Sequence, residues 1–97
     1  MNLNIGPFKV PVEFVPNLVD CGECSTAPPG PKIRIAADLA PGWKELTLLH
    51  EALHIISDIL DLDLKEQQVR GLEVGLGCLF KDNHTFSKNL LKSLGIK

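Results

Sequence analysis

The chain contains no tyrosine, and its aromatic complement is four phenylalanines and one tryptophan in 97 residues. A phenol is therefore excluded as general acid, nucleophile or oxyanion donor. Charge of neither sign dominates: ten Lys and Arg stand against twelve Asp and Glu, a formal net charge of −2. That balance leaves no basic stripe for a phosphate backbone, so nucleic acid is not an expected partner. No apolar run approaches the roughly 18 residues of a membrane span. The opening MNLNIGPFKVP also lacks the basic region and apolar run of a secretory signal. The three cysteines are an odd number, which excludes a fully paired disulfide framework and fits free thiols in a reducing, cytoplasmic setting. Internal repeats and low-complexity segments are absent.

What is present reads as one domain over residues 1–97. With 44% apolar and 23% charged residues, the chain is globular in composition and can build a single modest core. Residues 7–15, PFKVPVEFV, predict a strand, with Pro11 placing it at a sheet edge or interrupting it. Residues 16–31 carry Pro16, Gly22, Pro28, Pro29, Gly30 and Pro31 and read as a loop with room for a short strand at Leu18-Val19. KIRIAA, residues 32–37, alternates as a second strand, and Asp38–Gly42 is a turn. A helix follows over about Trp43–Leu60, then the connection Asp61-Leu62-Asp63, then a second helix over about Leu64–Phe80. Gly71, Gly75 and Gly77 weaken that second helix and leave places where a neighbouring element can come close. The tail HTFSKNLLKSLGIK predicts a short amphipathic helix with Phe86, Leu90, Leu91 and Leu94 inward.

The first helix contains His50-Glu51-Ala52-Leu53-His54, an H-E-x-x-H string. Residues four apart share a helix face, so both imidazoles can aim at one point. That geometry suits zinc, which accepts neutral histidine nitrogens in a tetrahedral shell. Glu51, one residue along, is placed to act as general base on a water that the metal activates. The plain alternative is an amphipathic helix whose two histidines are only hydrogen-bonded. The setting argues against it: Leu46, Leu48, Leu49, Leu53, Ile55, Ile56, Ile59 and Leu60 surround the motif, and histidines on a mostly buried helix need partners.

A hydrolytic zinc site takes three protein ligands and leaves one open position. Glu66 and Glu73, seven apart on the following helix, are both candidates for the third. The run TLLHEALHIISDILDLDLKEQQVRGLEVGL resembles the short gluzincins, the minigluzincin and ImmA/IrrE-like zinc metallopeptidases, many of them encoded by phages and prophages. The resemblance covers about residues 31–83. It implies a minimal zincin-like (gluzincin) domain and makes Glu66, which opens Glu66-Gln67-Gln68-Val69-Arg70-Gly71-Leu72, the third ligand of Zn2+. Arg70 departs from the family pattern, standing where relatives often carry Asp or Asn beside the first histidine. Glu73 can take that supporting role, or can itself be the ligand. Asp58, four residues after His54, is either a hydrogen-bond acceptor for its ring or a solvated surface carboxylate.

With tyrosine absent, His84 is the one remaining histidine that could stabilise an oxyanion, set against its reading as a loop or cap residue. Cys21-Gly22-Glu23-Cys24 is half of a zinc or redox motif, but no second pair exists and its flanks are loop-like, so two free thiols in a turn are expected. The expected fold is α+β, a sheet of about three strands packed on the motif helix with the second helix crossing it. The expected activity is a zinc-dependent metallohydrolase, an endopeptidase acting on a protein or peptide substrate, with His50, His54 and Glu66 on the metal and Glu51 as base. The strand Lys32–Ala37 would take an extended peptide by edge pairing. The alternative is a zinc-binding module with little or no catalysis, a phage or prophage regulatory or accessory protein.

Overall fold

The first two strands arise from an alternation that a tight turn folds back on itself. In the computed structural model, which describes residues 1–95, β1 (Asn2–Ile5) pairs antiparallel with β2 (Phe8–Val15), and Ile5 sits opposite Phe8. The two-residue connection Gly6-Pro7 needs a positive φ at its first position, and Gly6 supplies it at +55°. β3 (Gly22–Ser25) runs antiparallel to β4 (Lys32–Ala36), and β4 runs parallel to β2. The result is a four-stranded mixed sheet in the order β1-β2-β4-β3.

The sheet thus exceeds the roughly three strands that periodicity alone suggests. β1 is only four residues long. β3 lies inside the Pro- and Gly-rich segment that reads as loop, and not at Leu18-Val19, which are irregular, with Val19 99% exposed in a bend. What makes β3 a strand is tertiary: Glu23 and Cys24 pair with Arg34 and Ile33 of β4. The same pairing corrects the expectation that Lys32–Ala37 is an edge, because β4 is hydrogen-bonded on both sides and the open edge beside the helices belongs to β3. Pro11 neither breaks β2 nor marks a full edge strand. β2 pairs with β1 over residues 8–11 and with β4 from Val12 onward, so Pro11 stands just before the β4 ladder begins, where no N–H is required.

One sheet face carries Val10, Val12, Ile33 and Ile35, all buried, and with Ile55 they make the core. Leu3, Ile5, Leu39, Leu48 and Ile59 close over it. The other face is polar. There Arg34 lies between Glu23, 2.7 Å away, and Glu13, 3.6 Å away, its register partners on the two flanking strands.

α1 (Trp43–Ile59) packs on β3 and β4. Leu48, Ala52, Ile55 and Ile59 recur at helical spacing along its sheet-facing stripe. At its start Gly42 adopts φ +91°, and its N–H donates to the Glu45 carboxylate at 3.2 Å. At its end Asp61 and Asp63 both take positive φ to reverse the chain. Ser57 secures that reversal: its carbonyl accepts from Leu62 N–H (2.8 Å) and its hydroxyl from Leu64 N–H (2.9 Å). α2 (Glu66–Asp82) then packs on α1, burying Val69, and a Cβ added at Gly77 would stand 3.9 Å from Leu46 Cδ2.

α3 (His84–Ser93) packs on α2. The expectation that Phe86, Leu90, Leu91 and Leu94 point inward does not hold. α3 has no buried residue, Leu90 is half-buried, and the other three are 47%, 48% and 68% exposed. The helix forms where the pattern predicts, but its packing on α2 leaves most of its apolar face open. The last two residues of the predicted tail helix lie outside the described residues. No described helix is long and apolar enough to cross a membrane.

Candidate metal centre

α1 offers three functional stripes because its apolar and polar positions advance by 3.6 residues per turn. The sheet takes one stripe. His50 and His54 lie on another, with their rings edge to face at a centroid distance of 5.0 Å. Glu51 falls on the seam between the two, which is why a carboxylate here is only 7% exposed.

The α1–α2 reversal brings Glu66, the first residue of α2, over the histidines. Its two oxygens contact Nε2 of His50 at 2.7 Å and Nε2 of His54 at 2.9 Å. Glu73, two turns further along α2, approaches the other ring nitrogen of His50, with Oε1 2.8 Å from Nδ1. The two glutamates that the sequence leaves as competitors therefore hold different positions. Glu66 faces Nε2 of both rings, and Glu73 meets Nδ1 of His50 from behind. With an ion in place, Nδ1–H of His50 would donate to Glu73 and Nε2 would turn its lone pair to the metal, the arrangement that fixes a metal-bound imidazole.

Among the described residues, His50, His54 and Glu66 are the one group of three or more His, Cys, Asp or Glu side chains arranged to hold an ion, with ligand atoms within 4.8 Å of one another. Two imidazoles and a carboxylate are a donor set that zinc accepts, and three protein ligands leave a position free. The residues present thus fit the ion that the motif implies. Burial by itself pushes Glu66 up, but the neighbouring charges of His50 and His54 and the hydrogen bonds from both rings outweigh it and hold its carboxyl below the ordinary range. Glu66 is accordingly a carboxylate, ready to ligate.

Glu51 is displaced the other way. Burial raises its carboxyl above the ordinary value, opposed by a hydrogen bond from Cys24 and by the charges of His50 and His54, while the charge of Glu66 raises it further. Cys24, on β3, faces this group. Its thiol is pushed up to about 12, first by burial and then by the charge and hydrogen bond of Glu51 and the charges of Asp58 and Glu66. Such a thiol is neutral beside Glu51. The expected pair of thiols in a turn is corrected here: Cys24 belongs to an edge strand and serves as a neighbour of Glu51, while Cys21 precedes that strand and is exposed.

The cleft around the site is lined by α1 (Trp43, Thr47, His50, Glu51), α2 (Glu66, Arg70, Glu73) and the segment entering β3 (Asp20, Cys21, Gly22). Arg70 Nε lies 3.4 Å from Glu66 and is the one Lys or Arg in that lining. His84 is not part of it; it opens α3 and is exposed. Asp58 does not reach His54, and its carboxylate instead accepts from the Thr26 hydroxyl at 3.0 Å, tying the β3–β4 loop to the end of α1.

Three contributors are not assigned to the site by the sequence pattern. Cys24 carries no signal for its contact with Glu51. Ser57 has a weak one, a lone hydroxyl in an apolar helix just before the Asp61-Leu62-Asp63 reversal. Gly22 had the clearest, a glycine between the two cysteines of a segment otherwise read as loop. A Cβ added there would stand 2.7 Å from Thr47 Cγ2 and 3.2 Å from Glu51 Cγ, so only glycine lets β3 lie against the motif helix. Gly22→Ala is expected to lower the unfolding free energy by about 1–3 kcal/mol through this overpacking. Thr47→Ser, which removes the offending methyl, should recover part of the loss in the double variant. Urea titrations of the four proteins check both statements, and an undiminished Gly22→Ala would contradict the close approach. Compared with protein-family models, with curated proteins and with solved structures, the chain matches none.

Proposed function

We propose that this protein is a zinc-dependent metallohydrolase of the minimal gluzincin type, an endopeptidase in which His50, His54 and Glu66 hold the ion and Glu51 is the general base. The observation that carries the reading is the position of Glu66, one carboxylate set against Nε2 of both histidines while Glu73 backs His50. The resemblance to ImmA/IrrE-like peptidases supports the same assignment, and with it a phage or prophage setting. The free cysteines fit a reducing compartment.

Zinc bound at these residues would supply an activated water, with its pKa lowered toward about 7, and would polarise the scissile carbonyl. The chain's own groups do the rest. Glu51, raised by burial, takes the water proton and returns it to the leaving amine. Glu73 holds the His50 ring in orientation. Arg70, the cation of the cleft, is the group placed to stabilise the oxyanion in a chain without tyrosine. An extended peptide would pair with the open edge of β3, which enters the cleft at Gly22.

One observation favours the second reading, a zinc-binding module without turnover: neither tyrosine nor a third histidine reaches the cleft. Metal content decides the part common to both. Purified protein should carry or take up one zinc per chain by elemental analysis. His50→Ala and Glu66→Ala should lose it, and Glu73→Ala should bind it about 10–100-fold more weakly. Full zinc in Glu66→Ala with none in Glu73→Ala would exchange the two roles. No uptake by the wild type would end the metal reading altogether.

A further inference from the structure

We propose that the exposed apolar face of α2 and α3 is a self-association surface, and that its occupant is the same face of a second copy of this chain. This inference is independent of the metal reading. The surface arithmetic carries it. A folded monomer of 10.6 kDa is expected to expose about 5,500 Å². This chain exposes 7019 Å², an excess of about 1,500 Å². Its radius of gyration is 14.1 Å, against roughly 12.5 Å for a compact domain of this length. Both departures point to a face that the chain does not cover itself.

The exposed apolar residues place that face. On α2, Leu72, Leu76 and Leu79 recur at spacings of four and three and so share one stripe, with Leu72 and Leu79 each 41% exposed. On α3, Phe86, Leu90 and Leu94 recur every four residues, with Leu91 beside them. No residue of α3 is fully buried, and its Lys88 and Lys92 lie on the opposite side of the helix from Phe86 and Leu90. Beside the α2 stripe, Gly71 and Gly75 have open space where a Cβ would stand, so a partner helix can approach the backbone there.

The area fits a second copy. Seven of the fifteen exposed large hydrophobic side chains lie on α2, α3 and the residue after it; covering about half of the excess on each of two chains buries about 1,500 Å² in all, the size of a standard stable interface. Two such helix pairs laid face to face bring four helices together, which buries apolar stripes of this kind. A membrane surface is the competing occupant, since α3 is amphipathic with cations and no acid.

Light scattering coupled to gel filtration should give a mass of twice 10.6 kDa. Leu72→Lys on α2 and Leu91→Lys on α3, both at exposed positions, should each return the mass to that of one chain with the circular dichroism unchanged. If a variant fails to fold, hydrogen exchange of the wild type serves instead: α2 and α3 amides should lose protection on dilution while β2 and β4 amides do not. A monomeric wild type overturns the proposal, as does a dimer that survives both substitutions. A monomer that sediments with phosphatidylserine vesicles overturns it in favour of lipid.

Discussion

Glu51→Gln should abolish peptide hydrolysis, by about 10²–10⁴-fold for loss of a general base, while leaving zinc content and fold intact. Glutamine keeps the shape and a polar partner for the Cys24 thiol but cannot take a proton. The same substitution has a second, opposite signature in the metal-free protein. The carboxyl of Glu51 is raised above its ordinary value of 4.5, chiefly by burial. A raised carboxyl binds its proton more tightly folded than unfolded. Its contribution to stability is therefore fully present below pH 4.5 and is lost as the pH climbs through the folded value. Glutamine does not titrate, so metal-free Glu51→Gln should be more stable than wild type at neutral pH, and the difference should shrink on acidification. Paired urea titrations at neutral and acid pH, run beside a peptide-library assay, read both effects. Full cleavage by Glu51→Gln would remove Glu51 from the reaction. Equal stabilities at neutral pH would mean its carboxylate costs nothing where it lies.

These two signatures separate the competing roles of the site. A zinc-binding module without turnover shows the stability gain and no cleavage to lose. An endopeptidase shows both. Arg70 supplies a finer distinction within the second case, because it is the cleft's cation and also touches Glu66. Its loss through Arg70→Ala should lower turnover more than zinc affinity if its work is at the oxyanion, and the reverse if it only steadies Glu66.

The helices were legible in the sequence because each carries its own period. α1 was expected over about Trp43–Leu60 and spans Trp43–Ile59; α2 was expected from about Leu64 and begins at Glu66. His50, Glu51 and His54 were legible for the same reason, since a helix converts a spacing of four into a shared face. The division between Glu66 and Glu73 was not. Both lie on one stripe of α2, and which of them meets Nε2 depends on how far the Asp61–Asp63 reversal shifts α2 along α1. Two positive-φ aspartates and the buried Ser57 hydroxyl set that shift. The sheet was half legible. β2 and β4 alternate, but β3 is a strand only because Arg34 and Ile33 offer it a ladder, and no local pattern announces a partner of that kind. The apolar face of α3 shows the converse failure. Periodicity marks an amphipathic helix but does not say which surface covers it.

Ile55→Ala ties the core to the site. Ile55 is fully buried at the centre of the cluster formed with Val10, Val12, Ile33 and Ile35, and it adjoins His54 in sequence. Truncation to alanine leaves a cavity and should cost about 2–5 kcal/mol, comparable with the whole stability of a domain this small, about 5–10 kcal/mol. The metal-free variant is then expected to melt well below the wild type, or to be largely unfolded at 37 °C by the usual scale of such losses, about 4–8 °C per kcal/mol. Zinc should reverse much of this. His50 and His54 are held together by α1, but Glu66 joins them only when α2 is docked, so the full ligand set exists only in the folded chain. At a free zinc concentration of roughly a thousand times the dissociation constant, linkage returns about 4 kcal/mol. Thermal melts of Ile55→Ala with and without zinc read the effect, and the control is the same variant carrying Glu66→Ala, in which zinc should return little. If zinc rescued both proteins equally, the ion would be held by residues other than Glu66. If it rescued neither while binding the wild type, the site would not depend on the packing that brings α1 and α2 together.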